Sequence, residues 1–122
     1  MALLCAGNMM ADTLKAADLL AAAGVFAEVV SFHTVKPLDI DYLQLAASRF
    51  KLLVTVEEHS RIGGFGSAVA EWRMALVRNV AQLAFGTDDV FMHEVGSQAY
   101  ARKKYGLTAD NIAATTLAAL RA

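Results

Sequence analysis

Short, almost wholly apolar runs alternate along this chain with longer segments whose apolar residues recur every three or four positions. The runs Ala2-Leu3-Leu4-Cys5-Ala6, Val25 to Phe32, Leu52-Leu53-Val54-Thr55-Val56 and Val80 to Phe85 read as four strands. Continuous apolarity of this kind marks strands buried on both faces. Between them, Met10, Leu14, Ala17 and Ala21 form one stripe and predict a helix over about Met9 to Ala23, with Asp12 in its first turn and Gly24 ending it. Ile40, Leu43, Ala47 and Phe50 form a second stripe, capped by Asp39 and carrying Arg49 and Lys51 where the helix dipole favours cations. Pro37 cannot donate to a strand ladder, so the second strand ends before it. The turn Gly63-Gly64-Phe65-Gly66 opens a third helix with Val69, Trp72 and Leu76 on one side. Gly86 to Gly96 reads as an irregular connection, and a short helix from about Ser97 to Tyr105 stops at Gly106. Thr108 caps a last helix whose stripe is Ala113, Leu117 and Leu120.

Strand and helix therefore alternate, which calls for parallel strands joined by right-handed crossovers with helices on both faces. The expected fold is a single three-layer α/β/α domain over 1–122, with a mostly parallel sheet of four to five strands. For four strands the simplest order is 2-1-3-4, whose direction switches between the first and third strands. That geometry sets the loops after Ala6 and Val56 on the two sides of one crevice. Asn8, Glu58, His59, Gly63 and Gly64 are the candidate residues for it, as a binding crevice or as an interface.

Composition adds two constraints. Hydrophobic residues make up 57% of the 122 residues and charged residues 19%. A sheet covered on both faces or a surface that meets a partner would each account for that, and the two are compatible. The formal net charge is −1, without the basic, aromatic-studded face that nucleic-acid binding needs. The longest apolar stretch, Leu19 to Ala27, is far shorter than the about 20 residues of a membrane span. No secretory leader is visible, and a lone Cys5 fits a reducing cytoplasm. The chain enters its first strand with no polar lead-in, which suggests a piece of a longer polypeptide.

Candidate chemistry is sparse. Glu57-Glu58-His59 ends a buried strand and could do acid–base work, as an independent enzyme would require. Adjacent strand residues point to opposite faces, however, so Glu57 and Glu58 cannot act as one pair. The simpler reading has Glu58 bonding loop amides or a partner chain and His59 at an interface. The amides of the Gly63–Gly66 turn could cradle a small anion at the helix start, making the chain a free-standing anion-binding module. Yet the turn lacks the lysine and hydroxyl of a P-loop, Val69 replaces the third glycine of a dinucleotide motif, and close packing would explain its glycines as well. His33, His59 and His93 show no ligand spacing, so no metal site is expected. Ser67 occupies no nucleophile elbow. The basic run Gly96 to Tyr105 reads as a solvated helix face more simply than as a phosphate contact, and Met9 and Met10 as core filler or interface.

Several segments together resemble one family. Gly7-Asn8-Met9, His33-Thr34-Val35-Lys36-Pro37-Leu38-Asp39, Thr55-Val56-Glu57-Glu58-His59-Ser60, Gly63 through Glu71 and Tyr105-Gly106-Leu107-Thr108 look like the C-terminal domain of the transketolase group. That group includes transketolase, 1-deoxy-xylulose-5-phosphate synthase and the β subunits of 2-oxoacid dehydrogenases. The resemblance runs from about Leu3 to Leu120 and is nearest to transketolases, especially those split into two short subunits, with a dehydrogenase β subunit as the alternative parent. It implies a mixed sheet whose antiparallel edge strand precedes the start of this chain. It also implies that thiamine diphosphate and its Mg ion are held by separate pyrimidine-binding and diphosphate-binding domains. This chain would then carry no catalytic, cofactor-binding or metal-binding residue and would serve packing and homodimer formation. Asp88-Asp89-Val90-Phe91 departs from the family's Pro-Asp-x-Phe, which weakens the resemblance over Gly86 to Gly96.

Overall fold

A computed structural model describes residues 1–121. Strand β1 (Ala2–Ala6) runs through a 3-10 turn at Gly7–Met9 into helix α1 (Met10–Ala22). Then follow β2 (Glu28–Phe32), α2 (Ile40–Arg49), β3 (Leu52–Ser60), α3 (Phe65–Met74), β4 (Ala81–Thr87), α4 (Gln98–Lys104) and α5 (Ala109–Arg121). The sheet order is β2-β1-β3-β4, every pairing parallel, as the alternation of elements requires. Leu3 sits between Val29 on one side and Val54 on the other, which makes β1 and β3 the central strands.

Strand alternation splits the core in two. Leu3, Cys5, Val54 and Val56 pack with Ala16 and Leu20 of α1 and Ile112 and Ala113 of α5. Ala2, Leu4 and Leu53 face the other way, toward Leu43 and Ala46 of α2 and Phe65 and Val69 of α3. The apolar composition is thus partly the cost of covering a parallel sheet twice. Burial raises the pKa of the Cys5 thiol, whose Sγ lies 3.8 Å from Met10 Sδ, and it behaves as a small core hydrophobe.

Local rules account for the element ends. Asp39 accepts a hydrogen bond from the Tyr42 amide at 3.0 Å and caps α2. Gly24 and Gly106 take left-handed φ values of 80° and 69° where α1 and α4 stop. The edge strand β2 is tied to α2 through Glu28, which accepts from Tyr42 Oη at 2.8 Å and pairs with Arg49 at 3.0 Å.

Four expectations need correction. The buried stripe of α1 is Thr13, Ala16 and Leu20, and Leu14 is 49% exposed. Thr13 escapes an apolar count because it is polar; its Oγ1 donates to the Met9 carbonyl at 2.8 Å, which lets it be buried. In α2 the buried residues are Leu43 and Ala46 while Ile40 lies at the surface, and in α5 Ala109, Ile112 and Thr116 join Ala113 while Leu120 is exposed. β3 does not stop at Val56 but continues to Ser60, because each glutamate in the extension has a partner on its own face of the sheet.

The shifted stripe is testable. Leu20→Ala should cost about 3 kcal/mol in urea unfolding through lost contacts and a residual cavity. Leu14→Ala should stay within about 0.5 kcal/mol. Equal losses at the two positions would return Leu14 to the core.

Candidate functional site

The carboxyl end of the sheet changes direction between β1 and β3, and a crevice of about 340 Å³ opens there. It is lined by Gly7 and Asn8 from the turn after β1, by Glu57, Glu58 and His59 from β3, and by Gly63, Gly64 and Phe65 ahead of α3. All five candidates, Asn8, Glu58, His59, Gly63 and Gly64, therefore meet at one place. Gly7 and Gly63 have φ values of 66° and 75°, a left-handed backbone that lets the two loops turn sharply at the rim.

The decisive residue is one the sequence did not single out as a bonding group. Glu57 is 3% exposed and points toward α3, where its two carboxylate oxygens accept from the Phe65 amide at 2.6 Å and the Gly66 amide at 2.8 Å. It is a cap supplied from a neighbouring strand, satisfying amides that α3 itself cannot and setting a negative charge at the positive end of the helix. The glycines follow from this arrangement. A Cβ on Gly64 would run into Glu57 Oε2 and the Ser60 carbonyl, and one on Gly66 would lie 2.9 Å from Thr55 Oγ1. Of the two readings of the glycine turn, close packing holds. The rival reading, a small anion at the start of α3, would have to compete with a carboxylate of the chain for the Phe65 and Gly66 amides.

Glu58 faces the opposite side of the sheet. Arg102 of α4 grips it twice, Nε to Oε1 at 3.2 Å and Nη2 to Oε2 at 2.9 Å, and also donates through Nη1 to Asp12 of α1 at 2.9 Å. Gln98 adds a bond to Glu58 at 2.9 Å. Arg102 holds the Glu58 carboxyl below its usual range, with burial opposing and an Asn8 hydrogen bond assisting; Glu58 in turn raises the Arg102 pKa. The expectation that Glu58 bonds loop amides is corrected: Glu57 does that, and Glu58 answers an arginine in a basic run otherwise facing solvent. No short spacing in the sequence connects positions 58 and 102, so only the fold reveals the pair.

His59 is largely exposed, its Nδ1 3.0 Å from the Ser60 carbonyl and 4.0 Å from Glu57 Oε2. At 4.0 Å Glu57 makes no hydrogen bond to the imidazole, and its carboxylate is already committed to two amides. His33 and His93 lie at the surface away from the crevice. Thr55, buried behind Gly66, receives a long contact from Gln82 Nε2 at 3.4 Å.

Residues 1–112 match the family described as "Transketolase, C-terminal domain". The chain belongs to that family. Among its relatives, a 1-deoxy-D-xylulose-5-phosphate synthase of Desulforudis audaxviator is 42% identical over 114 residues, 93% of this chain and 18% of that protein. A 6-deoxy-6-sulfo-D-fructose transketolase subunit of a Clostridium species is 43% identical over 112 residues, 90% of this chain and 34% of that subunit. A solved "split gene transketolase, inactive beta4 tetramer" superposes with a TM-score of 0.86 at 38% identity, covering 98% of this chain and 38% of the other. The chain thus spans between about a fifth and two fifths of the length of these relatives.

The transketolase C-terminal fold is the α/β fold described above, and on the α3 side of the crevice the residues do not fit a diphosphate–metal group. Such a group needs free helix-start amides and a cluster of oxygen ligands. The α3 amides carry Glu57, and among the described residues no three His, Cys, Asp or Glu side chains come together to hold a metal ion. No helix among them is long and apolar enough to cross a membrane.

Two outcomes follow. Glu57→Ala leaves two inward-facing amides without a partner and should cost about 3 kcal/mol, read from chemical unfolding. Glu58 works differently with pH. Its folded carboxyl titrates below the unfolded value, so its contribution is complete above about pH 4.3 and is lost as pH falls through the folded value. Wild type should therefore exceed Glu58→Gln by about 1.5 kcal/mol at neutral pH, a margin that narrows only in acid. A margin that grew toward low pH would contradict the Arg102 pairing.

Proposed function

We propose that this transketolase C-terminal domain is a structural and dimerisation module of a thiamine-diphosphate-dependent, transketolase-like enzyme, without catalytic activity of its own. The parent would move a two-carbon ketol unit between sugar phosphates in the cytoplasm. Its cofactor and Mg ion would sit in the pyrimidine-binding and diphosphate-binding domains against which this chain packs. The family match over residues 1–112 carries this reading. The chemistry of the crevice supports it, because its two carboxylates, Glu57 and Glu58, are already bonded within the domain.

The split-gene relative and the sulfofructose transketolase subunit favour a parent in which this domain lies in a short separate subunit, and the tetramer named for the former favours self-association. A parent making 1-deoxy-xylulose 5-phosphate is the second reading, favoured by the synthase relative at 42% identity. The exposed apolar residues Phe26, Ile62, Val77, Phe91 and Val95 are consistent with surfaces that other domains cover.

Calorimetric titration of the chain with thiamine diphosphate and Mg²⁺ should show no saturable heat. Saturable micromolar binding by this chain alone would overturn the proposal.

A further inference from the structure

From Asp88 to Tyr100 every residue is exposed, a stretch that ends one residue short of the Arg102 clamp. Helix α4, at the end of this stretch, has no buried residue. A segment with no fully buried side chain gains little hydrophobic free energy from lying where it does. Its own bonds, Tyr100 and Lys104 to Glu94, close within the segment and do not tie it to the body. An exposed Arg61–Asp88 ion pair holds only its first residue, and such pairs contribute little. The remaining ties converge on one place, where Arg102 bonds Glu58 and Asp12, and Gln98 bonds Glu58. The Arg102 bonds are charge-assisted and join side chains 17% to 23% exposed, strong enough to dock a short helix. Immediately beyond α4 the chain is anchored again by Leu107, 1% exposed.

We infer that residues 88–104 form an arm that docks on and lifts from the body of the domain as one unit, with Arg102 as its latch. Asp88 and Leu107 mark its two hinges. The latch also governs the crevice. While the arm is docked, the guanidinium balances Glu58 beside Asn8; when it lifts, that carboxylate is left uncompensated at the crevice wall. Arm position thus sets the charge that a group approaching the crevice meets. Arg102 is in this sense a positioning residue, with no part in any reaction of its own.

Amide hydrogen exchange on the full chain tests the inference. The reporters are the amides of Ala101, Tyr105, Gly106 and Leu107, which donate to the carbonyls of Ser97, Ala101, Lys103 and Arg102. Arg102→Met keeps most of the stem but removes the fork, and should speed exchange at these amides about tenfold or more while β1 and β3 amides stay as in wild type. Lys103→Met, on the same helix but outside the latch, should match wild type. Glu58→Gln, which keeps the side-chain shape, should speed the same arm amides by a smaller factor, and is read in place of Arg102→Met should that variant not fold. Unchanged arm amides in the variants would overturn the inference. So would a rise shared equally by β1 and β3, which would make the arginine a support of the whole fold.

Discussion

The carboxylate of Glu57 on the amides of Phe65 and Gly66 is the constraint around which this end of the domain is arranged. A helix start packed against a sheet must find acceptors for its first amides, and a buried carboxylate must find donors. Each solves the other's problem. The solution requires α3 to approach β3 so closely that only hydrogen fits at Gly64 and Gly66, and it seats Phe65 in the core beside Phe32, ring centroids 4.9 Å apart. The same contact takes up the Phe65 and Gly66 amides, so close packing accounts for the glycine-rich turn.

The alternation of a single strand then separates two charges that sequence places side by side. Glu57 goes to the α2–α3 face and Glu58 to the α1–α5 face, where the basic run supplies Arg102. Two adjacent carboxylates in one low-dielectric pocket would push each other's pKa upward and create an acid–base pair. Placed on opposite faces with different partners, they act independently. Glu58 titrates low because a guanidinium grips it, which is the behaviour of a structural ion pair and the reverse of a proton donor kept protonated at neutral pH.

The strand order and the meeting of the loops after β1 and β3 were legible in the sequence, because alternation of apolar runs with helical stripes leaves few topologies open and because loops at a switch point converge. Helix faces were legible only approximately. Leu14 fits an apolar stripe by spacing, yet the helix presents Thr13, Ala16 and Leu20 to the core, since a threonine that bonds its own backbone and small alanines pack as well as a leucine. The end of β3 was misjudged for a related reason: charged residues look like a strand boundary until their partners are known, and those partners lie at positions 65, 66 and 102. Long-range pairing between single residues leaves no periodicity to read.

What remains is the domain's apolar surface. The buried faces of the parallel sheet account for much of its apolar composition, but Phe26, Val77, Phe91 and Val95 stay in solvent, each at 80% exposure or more. An isolated domain gains nothing from them, and a covered one gains roughly 25 cal/mol for each Å² that a neighbour removes from water. The interior is closed, the two crevice carboxylates are engaged by the domain's own groups, and the surface is left greasy. Such a distribution suits a part whose free energy of association is spent on holding other domains in position. Under the proposed function, chemistry in the parent would be a property of the assembly, with the Glu57 and Glu58 contacts of this chain serving geometry.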